Sequence, residues 1–316
     1  MIESKNGIIG VAVGDAMGLP VQFEPRAYFK KNPVTEMLGY MCFKMPKGSW
    51  SDDTSMTLAT IDAIVKDGAI NSKTIMDNFV KWFREDEFTP TGQAYDIGRT
   101  CMMAISNYIA NGVDPDEAGL TRETDNGNGS LMRISPMIYW CYAKNLEDRI
   151  IYEVVKQVSS LTHAHEVSVL GCYIYVQYGI RLLKGDDLEK AYQYIKGLNY
   201  EEFFSKESIE KYKRILVGNI NEEHEDDISS SGYVLHTLEA TFWSLLNTRS
   251  FDEVILKAVN LGEDTDSIGA CVGGLAGIYY GLDSINVEWR RELLKYDYIE
   301  EMCREFDKVL NQYERG

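Results

Sequence analysis

Gly262-Glu263-Asp264-Thr265-Asp266-Ser267-Ile268 opens an apolar stretch that runs on to Leu282 and carries Gly269, Gly273, Gly277 and Gly281 at intervals of four. That interval places the glycines on one face of a helix. Each glycine costs about 1 kcal/mol against alanine in a helix interior. Four on one face therefore need a compensation, and close approach of another helix backbone is the natural one. Ile268–Leu282 falls short of the roughly 18 apolar residues a membrane helix needs. The stretch predicts a central, buried helix with Asp264, Asp266 and Ser267 at its start. Helix capping explains one acid there. The second becomes a burial cost beside so apolar a helix.

Far upstream the same arrangement recurs. Gly48-Ser49-Trp50-Ser51-Asp52-Asp53-Thr54 stands before a helical apolar spacing at Met56, Leu58, Ala59, Ile61, Ala63, Ile64 and Val65. Capping is again the plain reading. Taken together, Ser51, Asp52, Asp53, Asp264, Asp266 and Ser267 are all oxygen donors. Such a set suits a pair of Mg²⁺ or Mn²⁺ ions, whereas the thiol and imidazole cluster that zinc prefers is missing. Gly127-Asn128-Gly129-Ser130-Leu131-Met132-Arg133 precedes the apolar run Leu131–Tyr142. It reads either as a tight turn or as a phosphate cradle at a helix start, with Arg133 adding charge. In Thr162-His163-Ala164-His165, the two histidines at i and i+2 cannot share a helix face, so they make a poor zinc pair. Asp96, in Tyr95-Asp96-Ile97-Gly98, stands directly before the run Ile97–Ile109, as a cap or as a carboxylate near a reacting centre.

The rest of the 316 residues is helical in pattern. Apolar runs cover Ile75–Phe83, Ile151–Leu161, Val167–Leu183, Ile209–Val217, Val234–Leu246 and Val254–Leu261, and a short strand is allowed only within Val34–Phe43. The polar segment Asn219–Ser231 reads as an exposed loop. No linker divides the chain, so one all-α domain over residues 1–316 is expected. Lys+Arg number 32 against Asp+Glu 49, a net charge of −17. This acidity argues against nucleic-acid or anionic-membrane binding. Six scattered cysteines without a CxxC pair predict reduced core thiols. The apolar run Gly7–Val13 is broken by Asp15 and makes no secretory signal. A soluble, cytoplasmic protein is the expectation.

In order and spacing these segments, with Gly14-Asp15-Ala16-Met17-Gly18-Leu19-Pro20-Val21 and Leu161-Thr162-His163, resemble the ADP-ribosylglycohydrolase family from about residue 5 to 282. The resemblance implies a compact, orthogonally packed, all-α bundle with a binuclear Mg²⁺ or Mn²⁺ centre at helix N-termini. It implies metal ligation by Ser51, Asp52, Asp53, Asp264, Asp266 and Ser267. Substrate contacts map to Asn128, Gly129, Ser130, Met132, Arg133 and His163. Asp96 matches a carboxylate near the scissile ribose, with Asp53 beside it. Gln22 departs from the glutamate many relatives carry; since Gln cannot act as a base, either Glu24 substitutes or the work falls to Asp96. Asp-Thr-Asp-Ser in place of Asp-Thr-Asp-Thr keeps the hydroxyl.

The activity implied is metal-dependent cleavage of the bond between ADP-ribose and a modified side chain, arginine-linked in preference to serine-linked. The partner would be an ADP-ribosylated protein or an ADP-ribose-containing small molecule. The alternatives are a non-catalytic ADP-ribose or nucleotide binder or structural protein of the same fold, and a metal-dependent hydrolase of another nucleoside-linked molecule.

Overall fold

A computed structural model describes residues 2–312. Among the described residues there is no strand, only helices and two isolated backbone bridges. The helices that build the site are α1 (Lys5–Gly18), α2 (Asp52–Asp67), α3 (Ser72–Glu85), α4 (Arg99–Asn111), α5 (Pro136–Ala143), α6 (Glu166–Leu183), α7 (Val234–Leu246), α8 (Phe251–Val259), α9 (Thr265–Tyr280) and α10 (Tyr296–Asn311). Val34–Phe43 forms bends and irregular backbone, not the strand allowed above. Tyr40 N–H bonds back to the Met45 carbonyl at 2.7 Å.

The glycine-striped helix is α9, and its residues from Thr265 to Gly277 are all buried. Its partner is α1, which carries a second stripe, Gly7, Gly10, Gly14 and Gly18. The helices run antiparallel with their backbones in contact. A Cβ on Gly10 would lie 2.1 Å from the Gly273 carbonyl oxygen, and one on Gly14 would lie 1.9 Å from that of Gly269. The compensation for helical glycine is therefore backbone packing, as the sequence required. One glycine needs reassignment: Gly281 lies beyond the helix, caps its C-terminus with φ 80°, and has open space where a Cβ would go. Around this seam α7, α8 and α10 complete the apolar core with α2, α3, α5 and α6. Among the described residues no helix is long and apolar enough to cross a membrane.

Three further readings are corrected. The run from Leu131 becomes helical only at Pro136, which takes the first helical position as proline prefers; Leu131, Met132 and Ile134 are buried from a turn instead. The run from Ile97 becomes helical only at Arg99, with Gly98 as cap. Five cysteines are buried thiols, but Cys42 is exposed.

Candidate metal centre and cavity

The seam aims two helix N-termini, those of α2 and α9, at one spot. The loop before α2 is pinned from outside: Trp50 Nε1 donates to the Leu294 carbonyl at 2.9 Å, and Leu294 N–H donates to the Gly48 carbonyl at 3.0 Å. From inside, Asp15 of α1 accepts the Ser51 N–H on both oxygens, at 3.0 and 2.9 Å, and the Thr54 N–H at 3.1 Å. Thr54 Oγ1 donates to the same carboxylate at 2.6 Å. A residue of α1 thus caps α2, and Asp52 and Asp53 are left with other work.

Capping also fails to explain the second pair. Asp264 makes no capping hydrogen bond to α9. It accepts instead from Asn128 Nδ2 at 2.5 Å and from Gln22 Nε2 at 3.5 Å. Asp266 is fully buried, and neither of its oxygens meets a donor. Asp53 is fully buried too. Its Oδ2 accepts from Ser51 Oγ at 3.0 Å and Ser267 Oγ at 3.4 Å, while Oδ1 has no donor. Asp15, Asp53 and Asp266 each offer an oxygen within 4.8 Å of the others.

An unpartnered buried carboxylate costs several kcal/mol if charged, so it takes up either a proton or a cation. The pKa values state the same demand. Burial raises Asp15 to about 7 and Asp96 to about 6. Burial, followed by mutual repulsion, pushes Asp52, Asp53 and Asp266 well up. Asp264 is raised by burial too, against the donors that hold it. Two positive helix ends offset part of this. Hard, oxygen-only donors with free lone pairs fit a divalent cation such as Mg²⁺ or Mn²⁺.

The centre opens into a cavity of about 450 Å³. Asp52, Asp96, Asp264 and Ser267 face it from the acidic side, and Asn128, Gly129, Met132 and His163 from the other. The second wall is held by Asn128 N–H on the Gly232 carbonyl at 3.0 Å and by the bridges Gly127–Tyr233 and Leu120–His163. Gly129 is required there, because a Cβ would sit 2.8 Å from both Cys101 Sγ and His163 Cε1. Burial, with the nearby Arg133 charge, lowers His163 to about 3, so its ring is neutral. Its Nδ1 pairs with Thr162 Oγ1 at 2.7 Å.

Asp96 is not a helix cap. Its backbone is left-handed, φ 59°, a conformation that costs energy outside glycine and clusters at functional sites.

Three residues singled out from sequence stand elsewhere. Arg133 is fully buried; it donates to the Gly129 and Val158 carbonyls and lies 5.1 Å over the Phe79 ring. It braces the loop from behind and does not line the cavity, though its charge reaches His163 in the wall. Ser130 points inward to Ser159 Oγ, at 2.9 Å, and Cys172 Sγ, at 3.4 Å. Glu24 is half-buried and outside the cavity lining.

Sequence reasoning missed Asp15 as a site residue. Its signal is a lone carboxylate inside a glycine-rich apolar run, which breaks that run and falls in a segment carrying the family resemblance, but sequence gives it no role. It also missed Arg99 and Phe23, which line the cavity.

The family model for ADP-ribosylglycohydrolase matches residues 4–315. The chain is 31% identical over 306 residues to the ADP-ribosylarginine hydrolase Tri1 of Serratia proteamaculans, covering 96% of this chain and 78% of that one. It is 26% identical over 321 residues to the ADP-ribosyl-[dinitrogen reductase] glycohydrolase of Rhodospirillum rubrum, covering 98% and 95%. A solved structure described as an ADP-ribosylglycohydrolase-related protein complex superposes with a TM-score of 0.81 at 29% identity, over 97% of this chain and 98% of that one.

Proposed function

The chain belongs to the ADP-ribosylglycohydrolase family, and from that premise we propose that it cleaves ADP-ribose from arginine-type side chains of modified proteins. It is a hydrolase that reverses ADP-ribosylation. The observation that carries the reading is a pair of buried acids with unpartnered oxygens, Asp53 and Asp266, each next in sequence to a residue that lines the cavity, Asp52 and Ser267, across from a far wall of Asn128, Gly129 and His163. The arginine preference draws on the relatives' substrates, arginine-linked ADP-ribose for Tri1 and modified dinitrogen reductase for the Rhodospirillum protein.

Asp15, Asp52, Asp53, Asp264 and Asp266, with Ser51 and Ser267, are the residues that would hold two Mg²⁺ or Mn²⁺ ions. Bound there, such cations would orient the ribose hydroxyls and would lend positive charge where negative charge develops. The protein's own groups divide the remaining work. Asn128 keeps Asp264 oriented and ionised by donating to it. Gly129 leaves room for the diphosphate beside its backbone, and neutral His163 adds no charge of its own. If Thr162 donates to His163 Nδ1, the proton rests on Nε2, which lies near the Gly127–Gly129 backbone. Asp96, with a pKa of about 6, is mostly ionised at neutral pH and accepts a proton from the attacking water. Its negative charge also steadies the oxocarbenium-like sugar. Gln22 holds Asp264 and cannot take a proton in place of Asp96.

The test is release of free ADP-ribose from arginine-linked and serine-linked ADP-ribosylated proteins, with Mg²⁺, with Mn²⁺ and with chelator. Metal-dependent release from the arginine-linked substrate is expected. Release that survives the chelator, or none from either substrate, would overturn the proposal.

A further inference from the structure

Phe23 combines two costs that folding does not need. Its ring is 67% exposed, and its backbone is left-handed with φ 71°, a strain that persists only where surroundings enforce it. Two backbone hydrogen bonds enforce it here: Phe23 N–H to the Glu263 carbonyl at 2.7 Å, and Glu263 N–H to the Glu24 carbonyl at 2.8 Å. These bonds lock the ring to the loop that carries Asp264, at the mouth of the cavity.

The ring is not isolated. Phe23 and Phe43 lie 6.3 Å apart between centroids, and Phe43 and Tyr95 lie 5.7 Å apart. Tyr95 Oη donates to the Trp50 carbonyl, just before Ser51, and Asp96 follows Tyr95 in the chain. An aromatic shelf therefore runs from solvent to the carboxylate that faces the reacting bond.

The shelf ends beside a carboxylate that the cations would not use: Asp96 follows Tyr95 in the chain and lines the cavity with Phe23. Arg99, also in the lining, is engaged by Asp125 at 3.0 Å, and His163 is neutral. Cys42, beside Phe43, senses the negative charge: burial raises its thiol first, and then Asp96 and Glu24. Aromatic faces beside carboxylates attract a flat, weakly hydrated cation such as guanidinium, and a neutral hydroxyl gains nothing comparable.

We propose that Phe23, Phe43 and Tyr95 form the acceptor subsite, which stacks the guanidinium of the modified side chain and so selects arginine-linked over hydroxyl-linked ADP-ribose. This inference rests on the hydrolase reading above.

The experiment compares wild type, Phe23→Leu and Phe23→Trp on an arginine-ADP-ribosylated peptide with saturating Mg²⁺. Affinity for free ADP-ribose is measured by calorimetry. Phe23→Leu, which keeps apolar bulk and loses the π face, should raise KM about five- to tenfold with kcat nearly constant. Phe23→Trp should restore KM, and all three proteins should bind ADP-ribose alike. An unchanged KM in Phe23→Leu overturns the subsite while the hydrolase reading stands. Equal loss of ADP-ribose affinity also overturns it, because the ring would then serve the nucleotide. A wild type inactive on the peptide overturns the arginine reading, and the subsite with it.

Discussion

The seam between α1 and α9 and the rim around Phe23 are built on opposite principles. In the seam, backbones touch, and glycines of both helices meet the partner's backbone carbonyls, as Gly10 meets Gly273 and Gly14 meets Gly269. At the rim, aromatic side chains stand in water, and Phe23, Tyr40 and Lys44 carry left-handed backbones without being glycine. The seam fixes where Asp15 and Asp266 stand, and it leaves no freedom to choose. The exposed face of the Phe23 ring at the rim meets only what enters from outside, so it is free to suit one acceptor. Rigid chemistry on a close-packed frame, with selectivity on a strained and exposed edge, is the division the two regions teach.

The most damaging test of that division is Asp53→Asn. It should lower kcat/KM by about 10³-fold, or ~4 kcal/mol of transition-state stabilisation. Thermal unfolding in chelator should hold steady or rise, because a buried carboxyl whose Oδ1 finds no donor gives way to a neutral isostere. A variant that lost both activity and fold would show that the acids belong to the frame's stability after all. Next comes Gly10→Val, whose Cβ would sit 2.1 Å from the Gly273 carbonyl oxygen. Overpacking there should cost about 3 kcal/mol or more in denaturant unfolding, and activity at the rim would fall only through loss of folded protein.

Gly129→Ala tests the wall between the two regions. Crowding against Cys101 and His163 should weaken ADP-ribose binding about tenfold, read by calorimetry, or ~1.4 kcal/mol. The smallest effect expected is Glu239→Gln. Glu239 of α7 is buried beside Arg214, 2.9 Å away, with Oε1 unpartnered, and burial raises its carboxyl to about 7. A raised carboxyl binds a proton in the fold that the unfolded chain has released near pH 4.5. Its contribution is complete below that value and is lost as pH climbs through about 7. Gln has no such dependence, so the variant's melting temperature should decline less than wild type's between pH 4.5 and 7.5. Equal slopes would place that carboxylate's charge fully on Arg214.

Periodicity located the frame well because helical spacing is a local property. Val234–Leu246 appears in the structure with the same ends as in the apolar pattern. Where a buried apolar side chain hangs from a turn, as at Leu131 and Met132, the pattern extended a helix that Pro136 alone begins. The glycine stripe of α9 announced a close partner, but not which one, since pairing joins segments at opposite ends of the chain. Acid pairs at two helix starts pointed to a cation centre, while Asp15, contributed from mid-helix, gave no cap-like signal. Arg133 shows the limit most plainly. Its place in a glycine loop is visible, yet its direction depends on Phe79 and Val158, which only packing brings near.

The seam also sets a schedule. Thr265 Oγ1 donates to the Gly18 carbonyl across 247 positions of sequence, and the acids of the centre come from both sides of that closure. Closing so long a loop is slow and must precede the contacts that reward it. A chain emerging from the ribosome holds α1 exposed, its glycine face unmatched, until α9 has been made. Half of the cation cage does not exist before then. Hydrolysis of the bond therefore begins only in a finished molecule, and α1 is the segment most in need of protection while synthesis proceeds.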